Sequence, residues 1–121
     1  MTGAIVLATQ QGLGILAKSF YDNGIIDVVY VKEHSTRENH YEWYPNRVKR
    51  VDDLLECDKL IFFETCFDWS IIPKARKKGI KTILVPMYEC TPNPLPYFPD
   101  VLVCPSSLDF EFYKKKYIDC A

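Results

Sequence analysis

Five short apolar runs divide the chain, and each is rich in Val, Ile, Leu and Phe. They are AIVLA (4–8), DVVYV (27–31), KLIFF (59–63), KTILV (81–85) and DVLVC (100–104). Their apolar residues are continuous rather than alternating, which is typical of strands buried on both faces of a parallel sheet. The pattern therefore predicts five parallel strands.

Helical patterns separate most of these runs. In residues 13–23, Leu16 and Phe20 fall on one face, and Gly24 is placed to end the helix. A short helix is expected at 51–56, and FDWSIIPKARKKG (67–79) predicts another, with Asp68 or Ser70 at its start and a glycine just past its end. A closing helix follows Ser106 or Ser107. Alternating strands and helices predict a single doubly wound α/β domain, Rossmann-like, over residues 1–121.

In such a sheet the carboxyl ends of the strands share one edge, where ligands bind. The segments expected there are 9–14, 33–34, 64–68, 87–91 and 105–107. The first of them contains Gly12, Gly14 and Ala17 in the G-x-G-x-x-A spacing of a dinucleotide-binding turn, and Glu33 follows at the position of a ribose-binding acid. Against that interpretation, Gln10 and Gln11 separate the strand from the first glycine and lengthen the turn. The alternative is that the glycines let this turn lie close to a neighbouring loop or ligand.

Composition excludes several classes of protein. Apolar residues make up 48% and charged residues 26% of 121 residues, with a net charge of −1, so no nucleic-acid-binding signature is present. No apolar run is long enough to span a bilayer and the start of the chain has no basic leader, so we expect a soluble, cytoplasmic protein. The five cysteines have no C-x-x-C spacing, which predicts reduced thiols and no metal site.

Four blocks together resemble the N-terminal half of bacterial and phage glycosyltransferases of the two-Rossmann-domain architecture called GT-B. The blocks are GLGILAKSFYDNG (12–24), HYEWYP (40–45), FFETCFDWSIIPKARKKGIKTILVPMYECTP (62–92) and PDVLVCPSSLDFEFY (99–113). They cover most of the chain, although family sequences often have tryptophan at the position of Cys90. The resemblance implies a domain that binds the sugar acceptor, that stops where the acceptor-side domain ends, and that needs a second domain for most contacts to the nucleotide-sugar donor. No cofactor is expected.

Sugar transfer with inversion needs a base for the acceptor hydroxyl. Glu64 and Glu89 directly follow buried strands and are the predicted catalytic residues, with Asp68, His34 and His40 as further candidate bases. The alternatives are that Glu64 caps the next helix and that Glu89 binds backbone amides. The predicted ligand-binding residues are Gln11, Gly12, Gly14, His40, Thr65, Asp68, Tyr88 and Ser106.

The aromatic residues around His40, namely Tyr41, Trp43 and Tyr44, could either stack on a sugar or base ring or pack on the sheet edge.

Three functions remain open. The first is the acceptor-binding half of a glycosyltransferase, inactive alone and partnered by a C-terminal domain. The second is a free-standing nucleotide or nucleotide-sugar binding module that self-associates to complete its site. The third is a small NAD(P)-binding protein.

Overall fold

A computed structural model describes residues 1–7, 13–32, 43–64, 66–86, 91, 95–104 and 106–118. The five strands are β1 (Thr2–Leu7), β2 (Val28–Lys32), β3 (Lys59–Glu64), β4 (Lys81–Pro86) and β5 (Val101–Leu102). The helices are α1 (Leu13–Asp22), a 3₁₀ helix (Val51–Glu56), α2 (Ile71–Lys77) and α3 (Ser107–Ile118).

The five strands form one sheet in the order β2-β1-β3-β4-β5, and every pair is parallel. This confirms the predicted parallel α/β fold. The chain first moves from β1 to β2 on one side and then returns to build β3, β4 and β5 on the other. The strand order therefore reverses between β1 and β3, which is the topological switch point of the sheet.

A short backbone bridge extends the sheet beyond β2. The Val29 N–H donates to the Asn46 carbonyl at 3.3 Å, and the Val48 N–H donates to the Val29 carbonyl at 2.8 Å. Arg47 thereby pairs in parallel with Val29. If this bridge is counted as a strand, the order becomes that of the 3-2-1-4-5-6 Rossmann sheet. The fold is Rossmann-like in topology as well as in class.

The sheet is covered on both faces, because successive side chains of each strand point to opposite sides. On one face, α1 contributes Ala17, Leu16 and Phe20 to a cluster with Val6 and Phe63, and the ring centroids of Phe20 and Phe63 lie 5.6 Å apart. On the other, the 3₁₀ helix and α2 pack onto the central strands, a cluster that includes Ile5, Leu54, Leu60, Phe62, Ile72 and Leu84. Burial on both faces is the reason why the strand sequences are continuously apolar.

The predicted helix ends are confirmed at two glycines. Gly24 and Gly79 have φ angles of 77° and 74°, and they follow α1 and α2. This left-handed conformation is accessible to glycine at little cost. Both helices therefore end where the sequence indicated.

The fifth strand is shorter than its apolar run. Its two residues pair with Ile83 and Leu84, and both are half-buried. Val103 lies beyond it with 43% of its surface exposed. A network of polar contacts fixes this edge: the Asp100 carboxylate accepts hydrogen bonds from the backbone N–H and the hydroxyl of Thr82, and Arg76 donates to Asp100 and to the Phe98 carbonyl.

Candidate functional site

The carboxyl edge of the sheet is the candidate site. β1 pairs with β3 through Ile5 and Phe62, so the strand ends Leu7 and Glu64 lie level, each two residues further along. Leu7 also pairs with Lys32, and Glu64 with Pro86. The ends of four strands thus form one row, and the crevice expected at a switch point lies outside Leu7 and Glu64.

The segment after β3 is fixed by hydrogen bonds. The Asp68 Oδ1 atom accepts from the Ser70 backbone N–H at 3.0 Å and from the Ser70 hydroxyl at 2.6 Å. These bonds hold the pKa of the Asp68 carboxyl below its usual range. The Cys66 thiol is buried and donates to the Asp68 carbonyl at 3.3 Å. Asp68 and Ser70 thereby form the turn that precedes α2. Ser70 is the N-cap residue, as predicted for one of this pair, but its side chain bonds to Asp68 and makes no capping hydrogen bond to the helix.

Within this segment, Phe67 reaches back across the sheet. Its ring centroid lies 5.8 Å from that of Tyr30, and the Lys32 Nζ atom lies 5.3 Å from the same centroid. Tyr30 and Lys32 belong to β2, which is separated from β3 by β1. The segment that carries Phe67 therefore passes over the end of β1, on the face where Tyr30 packs against the core. It lies beside the position at which a ligand crevice is expected in such a sheet.

The structure brings three predicted site residues to this place. Glu64 is the last residue of β3, Gly14 is a buried residue in the first turn of α1, and Asp68 is exposed beside Phe67. Ser106 lies on the same edge of the sheet but follows β5, two strands away from Glu64. Two strand spacings are about 10 Å, so Ser106 lines the far end of the edge rather than the crevice. It directly precedes α3, and its carbonyl accepts from the Phe110 N–H, as expected at a helix start.

Several predicted site residues lie outside the described part of the chain. They are Gln11, Gly12, His40, Thr65, Tyr88 and Glu89, together with His34 and Glu33. For Glu64 the structure gives the backbone position at the end of β3. The catalytic roles of Glu64 and Glu89 stay predictions.

Of the aromatic residues after His40, the structure describes Trp43 and Tyr44. Tyr44 is fully buried, and its ring packs edge-on against Tyr21 with the centroids 5.1 Å apart. Burial raises the pKa of Tyr44 to about 12. For Tyr44 the packing interpretation is confirmed. Trp43 is more exposed, at 36%.

Sequence reasoning missed the group formed by Phe67, Tyr30 and Lys32. One signal was present, because Tyr30 and Lys32 are two residues apart at the end of a strand and so share a face. The contact with Phe67 has no counterpart in sequence spacing, since it depends on the direction taken by the chain after β3. This group adds an exposed aromatic ring and a cation to the edge.

The described residues include side chains that could ligate a metal ion and buried cysteine thiols. Among them, no three His, Cys, Asp or Glu side chains come together as a set that could hold a metal ion. Burial raises the pKa of the Cys66 thiol to about 11, which keeps it protonated at neutral pH. In the same part of the chain no helix has the length and apolar character needed to cross a bilayer.

Comparison of the chain with protein-family models, with curated proteins and with solved structures found no match.

Proposed function

We propose that the chain is the acceptor-binding domain of a two-domain glycosyltransferase, with the acceptor held at the carboxyl edge of the sheet. The observation that carries this proposal is the reversal of strand order between β1 and β3, with Glu64 at the end of β3. A ligand crevice is expected at that point of an open parallel sheet. The sequence blocks that resemble GT-B enzymes include the β3 end and the segment that follows it.

The acceptor role is favoured over a dinucleotide site by the length of the first turn. β1 ends at Leu7 and α1 begins at Leu13, so residues 8–12 separate them. In a dinucleotide-binding turn the first glycine lies close to the strand end, which brings the helix N-terminus to the pyrophosphate. A longer connection suits contact with a ligand that lies above the sheet, between this domain and a second one.

In this arrangement the chain supplies one wall of an interdomain site. Transfer of a sugar requires groups that stabilise the departing nucleotide diphosphate, and the GT-B resemblance assigns most of these to the other domain. We therefore expect the 121-residue chain to bind an acceptor weakly and not to turn over a donor. Glu64 and Glu89 are the acids proposed to orient or deprotonate the acceptor hydroxyl.

Calorimetric titration with a panel of methyl glycosides and nucleotide sugars tests the proposal. We expect dissociation constants of about 1 mM or weaker, or ~4 kcal/mol of binding free energy. Glu64→Ala and Glu89→Ala should weaken binding, whereas Glu56→Ala should not, because Glu56 is an exposed acid that precedes the opposite end of β3. If the affinity were unchanged in both Glu64→Ala and Glu89→Ala, these two acids would not belong to the site.

Two further experiments test the other functions, a complete transferase and an NAD(P)-binding protein. Hydrolysis or transfer of a nucleotide sugar by the purified chain, abolished by Glu64→Ala or Glu89→Ala, would show a complete enzyme and contradict the half-site. Titration with NAD(H) and NADP(H) should give no measurable affinity. A dissociation constant near 1 μM, or ~8 kcal/mol, would instead favour the dinucleotide function.

A further inference from the structure

We propose that Phe67 and Lys32 form a subsite for a sugar ring that carries a negative charge, either a carboxylate or a phosphate ester. The inference rests on the proposed acceptor role of this edge and adds to it the chemical class of the acceptor.

The first argument is that an aromatic ring is exposed on a fixed segment. Phe67 is 44% exposed, although Cys66 before it is buried and Trp69 after it packs against the core. The Asp68 and Ser70 hydrogen bonds hold this turn in place. A ring presented by a segment that is already ordered binds a ligand with little loss of conformational entropy.

The second argument concerns the type of ring that such a surface accepts. A pyranose has faces made of C–H groups, and these are apolar although the rim is hydroxylated. An aromatic side chain offers a flat apolar surface of matching size. The Tyr30 ring of β2 contacts the Phe67 ring, which helps to fix Phe67 over the end of β1.

The third argument is the charge next to that ring. The Lys32 side chain is exposed, and its ammonium lies 5.3 Å from the centroid of the Phe67 ring. Asp68, the nearest acid along the chain from Phe67, directs its Oδ1 atom to Ser70. The positive charge of Lys32 therefore lies beside the Phe67 ring, where it would attract an anionic group on a sugar bound against Phe67.

The test measures affinity for four probes by calorimetry. The probes are methyl β-glucuronide, glucose 6-phosphate, the neutral methyl β-glucoside and UMP. We expect each charged sugar to bind about fivefold more tightly than the neutral glucoside, the gain of a solvent-exposed ion pair. The two charged sugars together show whether carboxylate or phosphate is preferred.

Variants assign the effect to the two side chains. Lys32→Gln should abolish the preference for charged sugars, and its control Lys59→Gln should keep it, because Lys59 is exposed at the opposite end of β3. Phe67→Leu, which retains an apolar side chain, should weaken binding of all three sugars about fivefold by loss of the aromatic face. Phe110→Ala removes an exposed aromatic ring from α3 and should change nothing.

The results of these titrations distinguish failure of the Phe67–Lys32 subsite from failure of the proposed acceptor function. Neutral and charged sugars of equal affinity, both weakened by Glu64→Ala, would overturn the subsite and leave the acceptor function standing. Tighter binding of UMP than of the charged sugars, lost in Phe67→Leu, would overturn the subsite as a sugar site. A charged sugar held through Phe67 and Lys32 but indifferent to Glu64→Ala and Glu89→Ala would support the subsite and contradict the proposed role of the two acids.

Discussion

Replacing Asp100 by alanine should weaken the attachment of the edge strand to the sheet. β5 consists of two residues, and Asp100, which precedes it, accepts hydrogen bonds from the Thr82 backbone N–H at 2.8 Å and from the Thr82 hydroxyl at 3.1 Å. Thr82 is fully buried in β4. Without the carboxylate, the Thr82 N–H loses its acceptor in a place that water reaches poorly.

The size of the loss follows from these contacts. A hydrogen bond to a charged acceptor contributes about 1.5–3 kcal/mol, and the buried donor left behind adds to the cost of removing it. The ion pair with Arg76 contributes less than about 1 kcal/mol, because both side chains are substantially exposed. We therefore expect Asp100→Ala to lower the free energy of unfolding by about 2–3 kcal/mol. Asp100→Asn keeps one acceptor oxygen for Thr82 and should lose about 1 kcal/mol.

The stabilisation that the Asp100 carboxylate provides should depend on pH. Hydrogen bonds from Thr82 are the main cause that holds the pKa of the Asp100 carboxyl below its usual range. Its stabilisation is therefore fully present above the unfolded-state pKa of about 3.9 and is lost as pH falls through the folded-state pKa. The difference between wild type and Asp100→Asn should shrink over that range, because asparagine does not titrate.

Urea unfolding followed by circular dichroism measures these differences. Asp52→Ala is the matched control, since Asp52 is exposed and pairs with the exposed Arg50. It should change stability by less than about 0.5 kcal/mol. If Asp100→Ala were as stable as Asp52→Ala at pH 7, the Thr82 hydrogen bonds would not hold this edge and the reasoning would be refuted.

Three further predictions concern the core. Gly3→Ala should destabilise the fold by about 1–3 kcal/mol, because an added Cβ would lie 3.0 Å from both Leu54 Cδ2 and Cys57 Sγ, and Gly3→Ala/Cys57→Ala should recover part of the loss in urea unfolding. Tyr44→Phe should be neutral or stabilising by up to about 1 kcal/mol in thermal unfolding, because the buried Tyr44 hydroxyl makes no hydrogen bond within the described part of the chain; a loss above that size would reveal a partner. Cys66 should resist a thiol reagent at pH 7 until the protein unfolds, because burial raises its pKa to about 11, and rapid labelling of the native protein would contradict this.

The fold was predictable where burial and local chemistry agree. Continuous apolar runs such as KLIFF indicate strands covered on both faces, and the glycines after α1 and α2 mark helix ends that require positive φ. The bridge at Arg47 was not predictable, because its pairing with Val29 uses backbone atoms in a polar stretch. β5 was predicted, but as residues 100–104 rather than as the two residues Val101 and Leu102, because an apolar run does not show where backbone pairing stops.

The candidate site was predictable only as a region. Topology brings the ends of β1 and β3 together, and the sequence placed Glu64 there. The Phe67 contacts with Tyr30 and Lys32 join residues more than thirty positions apart, and the chain direction after Cys66 decides them. Such contacts arise from tertiary structure and leave no periodic signal.

The central claim is that a sugar acceptor binds at the carboxyl edge next to the switch point. The most direct test is to record ¹H–¹⁵N spectra of the chain while methyl glucoside and methyl glucuronide are added. We predict that the amide shifts concentrate at Leu7, Lys32, Glu64 and Phe67, with the opposite edge around Asp27 and Asp58 unchanged. Shifts centred on that opposite edge, or none at sugar concentrations of about 50 mM, at which even a site with a 10 mM dissociation constant would be mostly filled, would contradict the account.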